Sequence, residues 1–167
     1  KRIVFFDTLI EKLNPGEVEA VLAHELGHFK RNHIRKRLLV SFVLSFGMFA
    51  LLGWISTQVW FYTDLGVMPN LNGYNGGLAL ALFMLVSPVF SFFFTPLGSL
   101  ASRKHEYEAD NFAAEKSSAN DLISALVKLY QDNASTLTPD PIYTSFYSSH
   151  PPAPLRIANL QRFSKAH

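Results

Sequence analysis

Cysteine is absent from all 167 residues, which excludes a disulfide framework and any thiolate metal site and leaves His, Asp and Glu as the metal donors. That absence fits a reducing compartment without requiring one. Charge is scarce as well: charged residues make up 17% of the chain, against about 25% in an ordinary soluble domain. The shortage is localised, because residues 38–63 carry no charge and residues 65–102 carry none either. A net charge of +2 is too small to argue for nucleic acid as a partner. The chain opens at Lys1 without a Met, a basic leader or a cleavage pattern. It is expected to be the later portion of a protein whose N-terminal transmembrane part is missing.

What is present is hydrophobicity, at 49% of residues. Each uncharged block exceeds the roughly 20 apolar residues that cross a bilayer core about 30 Å thick. A transmembrane hairpin is therefore expected at about 38–63 and 77–101. The turn-rich residues 66–77, with Pro69, Asn70, Asn72, Gly73 and Asn75, connect the two. Trp54, Trp60, Phe61 and Tyr62 suit an interfacial aromatic belt. Lys30, Arg31, Arg35, Lys36 and Arg37 precede the first block and Arg103 and Lys104 follow the second, whereas the connection offers only Asp64. Positive flanks mark the cytoplasmic side, so both ends of the hairpin are expected there. A pair of buried helices in a large soluble enzyme is the competing reading, and the block lengths argue against it.

The rest of the chain reads as mainly α with one exception. Residues 2–10, with Ile3, Val4, Phe5 and Phe6, read as a short N-terminal β-strand. That strand either offers an edge to an extended substrate or packs on the next helix. Asn14, Pro15 and Glu17 mark a helix start, with a capping residue, a Pro at the first helical position and an acidic first turn. That helix is expected to run through at least Arg37. A further helix over 119–131 shows Leu122, Leu126 and Leu129 on one face. A Ser, Thr and Pro-rich loop over 135–154 then leads to a terminal helix over 155–163. One catalytic domain spanning 1–167 is expected.

Chemistry concentrates in His24-Glu25-Leu26-Gly27-His28, an HExxH pattern inside the first helix. Residues four apart on a helix differ by only about 40° in direction, so both imidazoles can share one zinc ion while Glu25 reaches a water on it. A hydrolytic zinc site needs a third protein ligand and one open position. The segment His105-Glu106-Tyr107-Glu108-Ala109-Asp110 offers it. Glu106 and Asp110 share a helical face, so that one can bind metal while the other orients a ligand imidazole. Glu108 should point elsewhere. The hairpin would return Glu106 to the side of His28. His33, nine positions after His24, falls roughly opposite the metal face if the helix continues. His105 should point away from the site, and His167 is terminal.

HELGH on a helix, an apolar hairpin, the segment SRKHEYEAD and the closing HPPAPLR resemble the M48 metallopeptidases over essentially the whole chain. The likeness is greatest to the Ste24-type integral-membrane CAAX prenyl proteases. The resemblance implies one zinc ion per chain, held by His24, His28 and Glu106, with Asp110 behind the ligands. It also implies that His150 helps position substrate or stabilise the oxyanion, and that Arg156 anchors the acidic groups around the metal. It further implies a multi-pass protein of the bacterial inner membrane or the endoplasmic reticulum.

Three functions compete: a zinc endopeptidase cleaving membrane-associated or lipidated polypeptides, an HtpX-like quality-control protease, and a non-catalytic membrane scaffold with a vestigial metal site. The SRKHEYEAD segment and the spacing from His150 to Arg156 favour the first over the second. Intact His24, Glu25, His28 and Glu106 argue against the third.

Overall fold

The computed structural model describes residues 11–132 and 140–166. Its helices are α1 (Pro15–Lys30), α2 (His33–Ile55), α3 (Val59–Thr63), α4 (Gly76–Lys116), α5 (Ala119–Asp132), α6 (Pro141–Tyr147) and α7 (Ala153–Ala166). Among the described residues there is no strand; the β-strand expected over residues 2–10 lies outside them. Two compact units result, one from residues 1–34 with 95–167 and the other from residues 35–94.

In the first unit, α1 begins where the sequence places it. The Glu17 amide donates to Asn14 Oδ1 at 2.9 Å and the Asn14 amide donates to Glu17 Oε2 at 2.8 Å, a reciprocal cap with Pro15 in the first turn. Glu17 also ties α1 to α5. Ser124 Oγ donates to its Oε1 at 2.6 Å and Lys128 Nζ to its Oε2 at 2.7 Å. The hydrogen bonds from Lys128 and Ser124 hold the Glu17 carboxyl down to about 2. A carboxyl depressed in the folded state stabilises the fold above its unfolded value and loses that contribution as pH falls through the folded one. Thermal stability is accordingly expected to drop between about pH 4.5 and pH 2, and Glu17→Gln should flatten that part of the profile. An unchanged profile in the variant would show that the cap and its lysine carry none of the acid sensitivity.

Helix α1 packs on α5, and α5 on α7, around Ala20, Ala23, Ala113, Leu122, Leu126 and Leu160. The face expected on α5 is the buried one, with Leu129 half-buried at its edge. Each fully buried leucine contributes about 1.5–3 kcal/mol. The alanines let the helix axes come close.

Three sequence expectations need correction. Helix α1 stops at Lys30 instead of continuing through Arg37, because Asn32 takes the left-handed conformation with φ of 57°, which Asn tolerates better than most residues. The amides of Arg31 and Asn32 close the end by donating to Gly27 O and Phe29 O. The first apolar block is not one helix over 38–63 but α2 followed by α3. Ser56 Oγ and Thr57 Oγ1 donate to the carbonyls of Gly53 and Trp54, and Tyr62 Oη donates to Ser56 O, which satisfies the last carbonyls of α2 and ends it. Within the expected loop over 135–154, α6 forms because Asp140 caps it, accepting from the amides of Ile142 and Tyr143, with Pro141 in the first turn.

In the second unit, Ile55, Phe61, Tyr62 and Ala79 form a buried cluster with Leu52, Leu78, Leu82 and Phe83 against it. Beyond that cluster the apolar side chains face outward, as at Phe42, Phe46 and Phe49. Helices α2 and α4 are both long and apolar enough to cross a membrane. Helix α4, of 41 residues, also includes the polar residues around Glu106.

Candidate metal centre

Gly27 determines how closely α1 can approach α4. A Cβ at that position would lie 3.0 Å from Ala109 Cα, 3.1 Å from the Ala109 carbonyl oxygen and 3.2 Å from Phe112 Cβ. Only a hydrogen fits there comfortably. Because the backbones meet at this point, Glu106, one turn before the crossing on α4, reaches both histidines of α1. Glu106 Oε1 is 3.3 Å from His28 Nε2 and its Oε2 is 3.7 Å from His24 Nε2, with the two Nε2 atoms 3.1 Å apart. Gly27→Val is expected to overpack this crossing at a cost of about 1–3 kcal/mol and to weaken metal binding. Thermal unfolding and chelator competition would measure both, and a variant matching the parent in each would refute the close-contact account.

One ligand atom from each of His24, His28 and Glu106 lies within 4.8 Å of the others. His24 and Glu106 are buried, and His28 is half-buried. Glu106 Oε2 is shielded from solvent and accepts no well-directed hydrogen bond, although His150 Nδ1 lies 3.0 Å away and Arg156 Nη1 lies 3.6 Å away. A buried carboxylate oxygen left in that state is costly unless a cation completes its surroundings. The residues present therefore fit a divalent ion of borderline softness, and zinc suits two imidazoles and a carboxylate.

Behind these groups lies a buried ion pair. Arg156 donates from Nε and Nη2 to the two oxygens of Asp110, a two-point contact that fixes both partners. Asp110 Oδ1 also stands 2.9 Å from His24 Nδ1. An ionised carboxylate only accepts, so His24 donates from Nδ1 to Asp110, and its Nε2 faces His28 and Glu106. Burial pushes the Asp110 carboxyl up, but hydrogen bonds from Arg156 and His24 outweigh it and hold the group below its usual range. Glu106 behaves alike: burial raises it, while His150, His28 and Arg156 together bring it well below the ordinary carboxylate range. Burial lowers the Arg156 guanidinium, yet Asp110 and Glu106 leave it raised overall.

Glu25 is exposed on α1, one position beyond His24. His150 is exposed at the mouth of the site, at the end of a segment anchored by Arg103, whose Nη1 donates to Thr144 O at 2.8 Å and Ser148 O at 3.2 Å. Tyr130 Oη donates to Pro151 O at 3.2 Å just beyond it. From sequence Arg103 reads only as a membrane-flanking charge, because nothing in its neighbours announces carbonyls from a distant loop.

His33 lies elsewhere than its helical phase implies, and Glu108 and His105 of α4 meet it there. His33 is buried and stands 3.0 Å from His28, because the turn at Asn32 swings it back instead of leaving it opposite the metal face. Glu108, off the face that Glu106 and Asp110 share, has its Oε2 3.0 Å from His33 Nε2. His105 stacks on His33 with ring centroids 4.1 Å apart.

Two imidazoles from one helix and a carboxylate from a helix crossing it, with an exposed glutamate beside the first imidazole, have the donor chemistry of a hydrolytic zinc centre. Peptidase family M48 matches residues 1–164, and the chain belongs to that family. It is 35% identical to CAAX prenyl protease 1 of Saccharomyces cerevisiae, covering 99% of this chain and 39% of the yeast protein. The CAAX prenyl protease 1 homolog of Arabidopsis thaliana is 37% identical, with coverage of 91% and 35%. The crystal structure of S. mikatae Ste24p superposes with a TM-score of 0.82 at 34% identity, over 95% of this chain and 39% of that one. The chain thus spans about two fifths of the length of these relatives.

Proposed function

We propose that this chain is the catalytic portion of a zinc-dependent membrane endopeptidase that cleaves membrane-associated or lipidated polypeptides. The observation that carries the proposal is the close grouping of His24, His28 and Glu106, in which the buried Glu106 Oε2 accepts no well-directed hydrogen bond. His24, His28 and Glu106 would hold one zinc ion, whose Lewis acidity acts on water and on a substrate carbonyl. Glu25 accepts the proton of the attacking water and passes it to the leaving amine. His150, exposed beside Glu106, donates a hydrogen bond to the carbonyl oxygen as negative charge develops on it. Asp110 keeps His24 in its ligating tautomer, and Arg156 offsets the charge that Asp110 and Glu106 concentrate there.

The names of the relatives, which are CAAX prenyl proteases, support a substrate processed near a lipidated C-terminus and favour this reading over quality-control proteolysis. Helices α2 and α4 would cross the bilayer, with the basic flanks and the metal centre on the cytoplasmic side.

The test is metal content and peptidase activity in detergent for the parent protein, His28→Ala and Glu106→Ala. Both variants are expected to lose zinc and activity together. Zinc retained by both at the parent level would remove the site.

A further inference from the structure

His28 is held from behind by two groups that lie outside the metal centre. Its Nε2 faces His24 and Glu106, so a ligating His28 has that nitrogen unprotonated and carries its proton on Nδ1. His33 Nδ1 lies 3.0 Å from that Nδ1, and His33 Nε2 lies 3.0 Å from Glu108 Oε2. With Nε2 kept free for a metal, one arrangement of protons serves these two contacts. His28 Nδ1–H donates to His33 Nδ1, and His33 Nε2–H donates to the Glu108 carboxylate.

We propose that His33 and Glu108 are positioning residues for the metal centre, acting as a two-step hydrogen-bond relay that locks His28 in its ligating tautomer and orientation. Asp110 performs the same task for His24 in one step, through direct contact with Nδ1. The two ligand imidazoles point their outer nitrogens in different directions, and no carboxylate contacts His28 Nδ1 among the described contacts; the imidazole of His33 bridges the distance to Glu108. Two further features suit the relay. His33 is 4% exposed, so water competes little for its nitrogens, and its ring is flanked by that of His105, nearly parallel at 11°. The left-handed turn at Asn32 is what brings His33 there, since on an uninterrupted helix it would be rotated about 140° from His28.

The proposal rests on His28 being a metal ligand, and the test separates the two claims. Zinc affinity is measured by chelator competition, with zinc alone as the probe, for the parent, His28→Ala, His33→Phe, His33→Asn, Glu108→Ala and the His33→Phe/Glu108→Ala double variant. His33→Phe keeps the ring and its stacking but removes both nitrogens, and affinity is expected to fall about 10–100-fold. His33→Asn keeps an acceptor near Nδ1 and should recover part of the loss. Glu108→Ala should weaken binding in the parent but add nothing in the His33→Phe background, a dependence that a purely structural role would not produce. Parent-like affinity in both His33 variants, or additive losses in the double variant, would overturn the relay. If His28→Ala itself retains parent affinity, the ligand assignment fails instead. Should His33→Phe fail to fold, His33→Asn with Glu108→Ala decides between the same outcomes.

Discussion

Glu25→Gln is expected to leave zinc content at the parent level while lowering peptide hydrolysis by a factor of about 10²–10⁴. The reasoning starts from placement. Glu25 is exposed on the helix whose flanking turns carry His24 and His28, and it takes no part in the buried contacts among His24, His28, Glu106 and Asp110. Gln has the same length and hydrogen-bonding reach but cannot accept a proton at neutral pH, so only the base is removed. The paired measurement of bound metal and turnover is decisive. Parent-level turnover would assign the base elsewhere, and a variant without zinc would make Glu25 part of the binding set.

The second large effect is on stability. Asp110 is fully buried and accepts hydrogen bonds from Arg156 and His24. Asp110→Asn keeps the size but removes the charge that balances a buried guanidinium, and breaking one side of such a pair costs about 3–5 kcal/mol. For a chain of this size that lowers the melting temperature by roughly 6–20 °C. Zinc affinity should fall as well, since an amide can present its NH2 to His24 Nδ1 and favour the wrong tautomer. Thermal unfolding in detergent reports the first effect and chelator competition the second. A melting temperature within about 2 °C of the parent would show that Glu106, 3.6 Å from Arg156, suffices as its counter-charge.

Much of this was legible in the residues because the signals are local. Asn14, Pro15 and Glu17 specify a helix start within four positions, and HExxH spacing needs only one turn of helix to bring two imidazoles together. The apolar runs declare their length directly. What escaped depends on contacts between distant segments or on a single backbone torsion. Residues 30–37 contain neither Gly nor Pro, and the helix reads as continuous through them; one positive φ at Asn32 reverses the direction in which His33 points. The contact of Glu108 with His33 depends on the same torsion and has no signature in the sequence. The helix over 141–147 was missed although Asp140-Pro141 is a recognisable start, because the surrounding Ser, Thr and Pro dominate the composition. The anchoring of the His150 segment by Arg103 has no local signature at all.

The crossing at Gly27 has a bearing on the life of the protein before it acquires its ion. Where a metal must gather its own ligands, the apo chain is unfolded and chelation denatures it. Here the close meeting of Gly27 with Ala109 brings the two helices that carry the three donors together through backbone packing. The contribution of the ion to stability is then governed by its free concentration relative to its dissociation constant.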